Sequence, residues 1–199
     1  MRKILVIGCG GIGSFLIPLL DKAGLYKIDV YDPDIIEEKN ISYQNFVSLD
    51  ISKNKAEVFM NRYQSVKGYP YLVLTNKQLK GYDLVVCCAD NIDIRKTLYL
   101  TDDINWLDLR AQGRTGIILS FLERPELFTE LSNGPEGSFS CQGSDWEGKK
   151  EDLHYIHVAI VGLGAEWIQR WFNKEQVLNH KLINCLLYTS DAADEEDSV

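Results

Sequence analysis

A glycine-rich turn close to the start of the chain constrains the fold more than any other sequence feature. The turn reads GCGGIG over residues 8–13, follows an apolar run over residues 4–7 and precedes a helical pattern over residues 14–22. A strand, a tight glycine turn and a helix start, in this order, aim backbone N–H groups and the positive end of a helix at an anion. Glycine is needed because a Cβ would block the turn and the approach of a phosphate. The segment therefore predicts a phosphate-binding βα unit.

An acidic residue closes the next predicted strand. The apolar run over residues 28–31 is followed by Asp32, and a carboxylate at this position can accept hydrogen bonds from both hydroxyls of a ribose. A bound nucleotide is therefore predicted. NAD-binding and ATP-binding proteins share the glycine turn and the acid, so these two features leave both nucleotides open.

The remainder of the chain alternates between strand and helix patterns. Strands are predicted near residues 3–7, 27–31, 71–74, 84–88, 104–107 and 116–121, and helices near residues 11–23, 53–64, 92–100 and 157–172. Such alternation is typical of an α/β fold. We predict a Rossmann-like, doubly wound, mostly parallel sheet with helices on both faces, in which ligands bind beyond the carboxyl ends of the strands.

Residues 1–184 are predicted to form one nucleotide-binding domain, a size typical of a single domain. Within it, residues 123–150 are rich in Gly, Pro, Ser and acids, which predicts a long loop over the site. Residues 185–199 carry five acids and no basic residue. The stretch from Cys185 to Glu195 resembles a translated sequencing adapter, so residues 185–199 are expected to be a non-native or disordered tail.

Composition and charge argue against several classes of function. The formal net charge of −8 disfavours long-range attraction to nucleic acid. No apolar run is long enough to span a bilayer and no cleavable leader precedes the first strand, so we expect no membrane partner and a cytoplasmic protein. The five cysteines form no C-x-x-C pair, which disfavours a structural zinc site and a disulfide framework.

Three further segments decide between the nucleotides. They read YDPDIIEEKNISYQNF from Tyr31, DISKNKAEVF from Asp50 and YDLVVCCADNIDIRKTL from Tyr82. Together with the glycine turn, their order and spacing resemble the ThiF/MoeB/E1 superfamily, whose members activate ubiquitin-like and sulfur-carrier proteins with ATP. The resemblance covers roughly residues 2–121 and implies ATP and Mg²⁺ as cofactors.

The resemblance gives roles to residues in each segment. Lys55 opens a predicted helix near the phosphates, where its point charge can offset phosphate charge. Asp90 follows a predicted buried strand at the carboxyl edge of the sheet, and one or two carboxylates with phosphate oxygens are typical ligands of Mg²⁺. We therefore expect Lys55 and Asp90 to be catalytic, with Asp90 as the metal ligand. The residues expected to bind the nucleotide are Gly8, Gly10, Gly11, Gly13, Asp32, Asp34, Asn40 and Lys55.

The reaction that the resemblance implies is adenylation. The C-terminal carboxylate of a ubiquitin-like or sulfur-carrier protein attacks the α-phosphate of ATP, and pyrophosphate leaves. Catalysis of this kind depends on placement and charge neutralisation rather than on a protein nucleophile. The resemblance also implies a homodimer.

Two cations of the family pattern are missing from their usual positions. Tyr43 stands where the family's Asn-x-x-Arg-Gln block has arginine, and no N-terminal helix supplies a second arginine. Arg110 or Arg114 could replace them, and structural ion pairs are the alternative role for both.

A nucleophile is not clear from the sequence either. Cys141 is a candidate for a thioester cysteine or a relic of a zinc ligand, although nothing around it clearly lowers its pKa. His154 and His157 are three residues apart and are predicted to be packing or surface histidines rather than metal ligands.

Two other functions remain open on the sequence alone. An NAD-dependent oxidoreductase would explain the glycines and Asp32 but would leave Lys55 and Asp90 without roles. A non-catalytic subunit with the same fold would explain Tyr43 and the absence of a clear nucleophile.

Overall fold

The computed structural model describes residues 1–132, 141–142 and 149–185. In chain order the strands are β1 (Arg2–Ile7), β2 (Tyr26–Tyr31), β3 (Val66–Tyr69), β4 (Leu84–Cys87), β5 (Trp106–Gln112), β6 (Thr115–Ser120) and β7 (His180–Asn184). The helices are α1 (Gly13–Ala23), α2 (Lys55–Arg62), α3 (Ile92–Tyr99), α4 (Pro125–Ser132) and α5 (Ile156–Phe172).

All seven strands join one sheet, in the spatial order β3-β2-β1-β4-β5-β6-β7. The first five strands of this order pair in parallel, whereas β6 is antiparallel to β5 and β7 is antiparallel to β6. The central strands β1 and β4 are buried on both faces, which is why their sequences are continuous apolar runs. The predicted Rossmann-like, mostly parallel sheet is confirmed.

Helices cover both faces of the sheet, as predicted. Successive side chains of a strand point to opposite faces. Ile4 and Val6 therefore join a core with α1, α2 and α5, whereas Leu5 and Ile7 join a second core with α3 and α4. None of the described helices combines the length and the apolar character needed to cross a membrane.

Three strands differ from the prediction, among them β5, which was predicted near residues 104–107 and spans Trp106–Gln112. Residues 71–74 are not a strand: β3 ends just before Pro70, which cannot donate a ladder hydrogen bond, and the apolar side chains of Tyr71, Leu72 and Leu74 are exposed. The strand lies earlier, at Val66–Tyr69. β7 was not predicted because it is a short, mostly exposed edge strand without an apolar alternation.

The predicted loop over residues 123–150 is corrected for its first part. α4 begins at Pro125, a residue favoured in the first turn of a helix, and Phe128 packs with its ring centroid 5.0 Å from those of Tyr99 and Trp106. Residues 133–140 and 143–148 lie outside the described residues, and so does the tail from residue 186 onwards. The predictions for those segments stay predictions.

A buried carboxylate ties α3 to the sheet. Asp108 on β5 has no exposed surface and accepts hydrogen bonds from Arg95 Nε at 3.2 Å and Arg110 Nε at 2.8 Å, and also from the Tyr99 hydroxyl. Burial raises the pKa of Asp108, but the two guanidinium groups and the Tyr99 hydroxyl outweigh burial, so the pKa lies below its ordinary value. The charge of Asp108 is therefore compensated inside the protein.

Replacing Asp108→Asn is expected to lower the free energy of unfolding by about 3–5 kcal/mol, because two arginines lose their counter-charge in a buried site. The exposed Asp102→Asn is the control and should stay within about 0.5 kcal/mol of the wild type in urea denaturation. A carboxylate whose pKa is lowered in the folded state stabilises the fold at pH values above its unfolded-state pKa. This stabilisation is lost as the pH falls through the folded-state pKa. The difference in the free energy of unfolding between the wild type and Asp108→Asn should therefore become smaller below about pH 4. A difference that does not change with pH would contradict a charged Asp108.

Candidate functional site

The glycine turn joins β1 to α1 at the carboxyl edge of the sheet. Gly8 has a φ of +93°, and a Cβ on it would lie 2.8 Å from the backbone nitrogen of Ala89 in the loop after β4. A Cβ on Gly13 would overlap the carbonyl oxygen of Gly8. Both positions therefore require glycine. No side chain in the described part of the chain caps α1, which leaves the start of this helix open to an anion.

Gly10 and Gly11 face different surroundings. The nearest atom to a Cβ on Gly10 would be Gln44 Nε2, at 4.0 Å, so this glycine borders open space. A Cβ on Gly11 would overlap Cys141 Sγ and would lie 3.6 Å from His157 Cδ2. The turn is thus open to a ligand on the side of Gly10 and covered by side chains at Gly11.

Asp32 connects the glycine turn to the loop after β2. One carboxylate oxygen accepts the N–H of Cys9 at 2.6 Å, and the other accepts the N–H of Asp34 at 2.8 Å. The residue is 4% exposed, and burial raises the pKa of Asp32 although Lys55 and the two N–H donors oppose the shift. Asp32 therefore lies next to the turn, and its contact with a ribose stays a prediction.

Lys55 is a buried cation rather than a solvated helix residue. Its side chain is 8% exposed and its Nζ lies 2.8 Å from Asp34 Oδ2. Burial lowers the pKa of Lys55, but the carboxylates of Asp32 and Asp34 outweigh burial, so the pKa is raised and the ammonium stays charged. The start of α2 is held in place by Asn54, which caps the helix and donates its Nδ2 to the carbonyls of Asp32 and Asp34.

Asn40 and Tyr43 interact within their own loop. Asn40 is buried in a short 3₁₀ helix, where its Oδ1 accepts the N–H of Glu37 at 2.9 Å and its Nδ2 donates to the Tyr43 hydroxyl at 3.3 Å. The contacts of the Asn40 amide are those of a residue that shapes the loop. A direct contact between Asn40 and the nucleotide stays a prediction.

Asp90 lies after β4 with its side chain exposed. The neighbouring Asn91, not Asp90, caps α3, because its Oδ1 accepts the N–H groups of Asp93 and Ile94. Among the described residues, Asp90 forms no hydrogen bond or ion pair, so its carboxylate is available to a cation. The described part of the chain contains no group of three side chains suited to a metal ion, so a metal here would depend on oxygens of a ligand.

The two arginines considered as substitutes have different environments. Arg110 forms the ion pair with buried Asp108 described above, and its guanidinium also donates to the Tyr99 hydroxyl. Arg114 is exposed, and its backbone carbonyl accepts the N–H of Cys185. The structural ion pair is the role that the observed contacts give to Arg110.

Cys141 lies on the glycine turn, where its thiol covers Gly11. Its backbone carbonyl accepts the N–H of Gly113 at 3.1 Å, and Gln142 pairs with both backbone groups of His154, at 2.7 and 3.0 Å. Burial raises the pKa of Cys141 to about 11, and the carboxylate of Asp90 adds to the effect. The thiol is therefore beside the site but protonated at neutral pH, which makes it a weak nucleophile.

Two buried polar groups beside the turn were not identified as site residues from the sequence. Gln44 Oε1 and His157 Nδ1 are the buried side-chain atoms without a hydrogen-bond partner in the described ranges. Burial lowers the pKa of His157, and the backbones of His154 and Tyr43 act in the opposite direction. An unpaired buried group destabilises a fold by about 1–3 kcal/mol. His157 was predicted from the sequence to be a packing or surface residue, and it is buried. Gln44 was visible only as the last residue of the Asn-x-x-Arg-Gln block that begins at Asn40.

Comparison with known proteins decides the family. The sequence profile described as the ThiF family matches residues 1–126. The chain belongs to the ThiF family. The glycine turn, Asp32, Lys55 and Asp90 all lie within the ThiF match.

Named relatives match about half of this ThiF-family chain. The adenylyltransferase and sulfurtransferase UBA4 of Candida albicans is 33% identical over 113 residues, which are 51% of this chain and 25% of that protein. The sulfur carrier protein adenylyltransferase of Thermus thermophilus is 31% identical over 111 residues, 51% of this chain and 40% of that protein. The chain thus spans less than half the length of these curated relatives.

Solved structures share the fold. Escherichia coli MccB superposes with a TM-score of 0.69 at 16% identity, over 92% of this chain and 59% of that chain. The same protein crystallised with ATP gives a TM-score of 0.64 at 18% identity, over 87% and 56% of the two chains.

Replacing Gly13→Ala tests the packing of the turn. The new methyl group would overlap the Gly8 carbonyl, so the free energy of unfolding should fall by about 1–3 kcal/mol. Gly162→Ala in α5 is the matched control, because nothing lies within 4 Å of its added methyl and alanine favours a helix by about 0.8–1 kcal/mol. Urea denaturation measures both; equal stability of the two variants would contradict the observed turn.

The raised pKa of Cys141 predicts its reactivity. In a Cys185→Ser variant, the cysteines other than Cys141 are all buried, so iodoacetamide should modify Cys141 first. Because the thiolate is the nucleophile, the rate should rise about tenfold for each pH unit between pH 7 and pH 9. Mass spectrometry follows the adduct, and a rate that levels off within this range would show a thiolate stabilised by a nearby group.

Proposed function

We propose that this protein is an ATP-dependent adenylyltransferase that activates the C-terminal carboxylate of a ubiquitin-like or sulfur-carrier protein and releases pyrophosphate. The observation that supports it most is the meeting of four features at one sheet edge. Ile7 pairs in register with Tyr31 and with Cys87, so the glycine turn, Asp32 and Asp90 follow neighbouring strand ends. Lys55 joins them through its contact with Asp34.

The chemistry needs charge neutralisation more than a protein nucleophile. An oxygen of the substrate carboxylate bonds to the α-phosphorus of ATP as the bond from phosphorus to the bridging oxygen of pyrophosphate breaks. The N–H groups of the turn and the buried ammonium of Lys55 would stabilise the phosphate charge in a site of low dielectric. Asp34 occupies one of the donors of Lys55, and the others remain for phosphate oxygens.

The exposed carboxylate of Asp90 suits Mg²⁺, a hard cation that prefers oxygen ligands. When bound, the ion would neutralise charge on the phosphates, and phosphate oxygens with water would complete its coordination. Asp32 would hold the ribose with the lone pairs that its two N–H donors leave free. Gly8, Gly10, Gly11 and Gly13 would border the phosphates.

The names of the relatives support the proposal. Both curated relatives are named adenylyltransferases, and one is named for a sulfur-carrier protein. A homodimer is part of the proposal by family resemblance, and light scattering of the purified protein tests it. The cytoplasmic location expected from the sequence is also part of the proposal. Family membership and the buried Lys55 both count against the NAD-dependent oxidoreductase.

One observation favours a second candidate, a non-catalytic subunit that binds the carrier. Tyr43 replaces the family arginine, and Arg110 is already paired with Asp108, so neither supplies a free cation to the leaving pyrophosphate. Exchange of labelled pyrophosphate into ATP, run with a set of ubiquitin-like and sulfur-carrier proteins, separates the candidates. Carrier-dependent exchange supports the enzyme, and tight carrier binding without exchange supports the subunit.

Replacing Lys55→Ala should slow carrier-dependent exchange by about 10²–10³-fold, the loss typical of one group that stabilises transition-state charge. Lys53→Ala is the matched control, two residues away and exposed, and should exchange near the wild-type rate. Circular dichroism checks that both variants are folded. Near wild-type exchange by a folded Lys55→Ala protein would remove Lys55 from the mechanism.

A further inference from the structure

Two side chains that are distant in sequence, each with an unpaired polar atom, lie beside the glycine turn of residues 8–13. Gln44 follows the 3₁₀ helix that contains Asn40, and His157 stands in the first turn of α5. Gln44 is 7% exposed and His157 is 1% exposed. Gln44 Oε1 and His157 Nδ1 are the buried side-chain atoms left without partners in residues 1–132, 141–142 and 149–185.

Both side chains lie beside consecutive glycines, but only Gln44 presents a polar atom to its glycine. Gln44 Nε2 lies 4.0 Å from the position of a Cβ on Gly10, and His157 Cδ2 lies 3.6 Å from that of a Cβ on Gly11. Buried polar groups normally have partners, and an exception calls for an explanation. The adjacent open space at Gly10 suggests that the partner of Gln44 is a bound molecule.

The chemistry of the Gln44 side chain restricts that molecule. A side-chain carbonyl oxygen can only accept, so Gln44 Oε1 needs an N–H or O–H donor. The triphosphate of ATP has no such donor and its ribose hydroxyls are the groups proposed to bind Asp32, whereas a peptide group offers an N–H and a C=O together. The protein already contains this pairing: Gln142 Oε1 accepts the N–H of His154 at 2.7 Å while its Nε2 donates to the His154 carbonyl at 3.0 Å.

We propose that Gln44, beside the open side of Gly10, forms a subsite that binds a main-chain peptide group in the C-terminal segment of the substrate. The inference rests on the proposed function, because it concerns how the carboxylate to be adenylated is brought to the phosphates. Gln44 pairs with the N–H and C=O of one substrate residue, as Gln142 does with His154. Glycine at position 10 leaves room for a substrate backbone to approach.

The test replaces single atoms of the ligand. The probes are acetyl-pentaglycine and its analogues in which one amide N–H at a time is replaced by an ester oxygen, titrated by NMR into the full chain with Mg·ATP. The wild type should bind the amide about tenfold more tightly than the ester at one position, as one lost hydrogen bond to a buried group predicts. At the remaining positions amide and ester should bind alike.

Protein variants assign that preference to Gln44. Gln44→Ala should bind the amide about tenfold more weakly and should lose the amide–ester difference. Gln44→Glu keeps the acceptor and the shape and should retain the preference for the amide N–H. Gln112→Ala, at the exposed end of β5, should behave like the wild type.

Three results would overturn the proposal: no binding of the amide peptide by the wild type, equal binding of every ester, or an unchanged amide–ester ratio in Gln44→Ala. Thermal stabilisation by Mg·ATP, measured on each protein, confirms the fold independently of the peptide. If Mg·ATP stabilises the protein and carrier-dependent exchange occurs, but the amide–ester ratio is unchanged in Gln44→Ala, the peptide subsite at Gln44 is rejected and the adenylyltransferase activity stands. If Mg·ATP does not stabilise the protein and no carrier-dependent exchange occurs, the proposed adenylyltransferase activity itself is rejected.

Discussion

The carboxylate of Asp32 is the interaction on which the site depends. Its two oxygens accept N–H groups from two different loops, the glycine turn after β1 and the segment after β2. A single side chain thereby fixes the relative position of two neighbouring strand ends. Asn54 then holds the carbonyls of Asp32 and Asp34, and Lys55 reaches Asp34 from the start of α2. The buried cation and the glycine turn are therefore positioned by one carboxylate, and burial is tolerable because donors surround it.

Two other aspartates show how environment separates structural from functional charge. Asp108 has no exposed surface and its charge is matched by Arg95 and Arg110. Asp90 follows the neighbouring strand, is exposed, and has no ion-pair partner among the described residues. Burying a carboxylate requires compensation within the protein, whereas a solvated carboxylate keeps its capacity for an external cation. The contrast explains why Arg110, which resembles a candidate phosphate ligand in sequence, serves the fold instead.

The glycine turn divides into a packed half and an open half. Gly8 and Gly13 meet backbone atoms, so a side chain at either position would displace β1, α1 or the loop after β4. Gly10 borders open space near Gln44, and Gly11 lies beneath Cys141 and beside His157. The packed part sets the geometry of the βα unit, and the space beside Gly10 leaves access for a ligand. The segment around Cys141 adds a thiol that burial keeps protonated, so it contributes shape more than reactivity.

Sequence by itself determined the parts of this protein whose signals are local. The glycine turn, Asp32 after β2 and the apolar runs of β1 and β4 each follow from steric or solvation needs of adjacent residues. Tertiary structure decided what depends on contacts between distant segments. β3 stands at Val66–Tyr69 because pairing with β2 outweighs the apolar residues 71–74, and α4 forms where Phe128 meets Tyr99 and Trp106. Gln44 and His157 lie beside the same glycine turn although they are more than a hundred residues apart in the sequence. A local sequence pattern cannot predict this contact, because it depends on how distant segments pack against the turn.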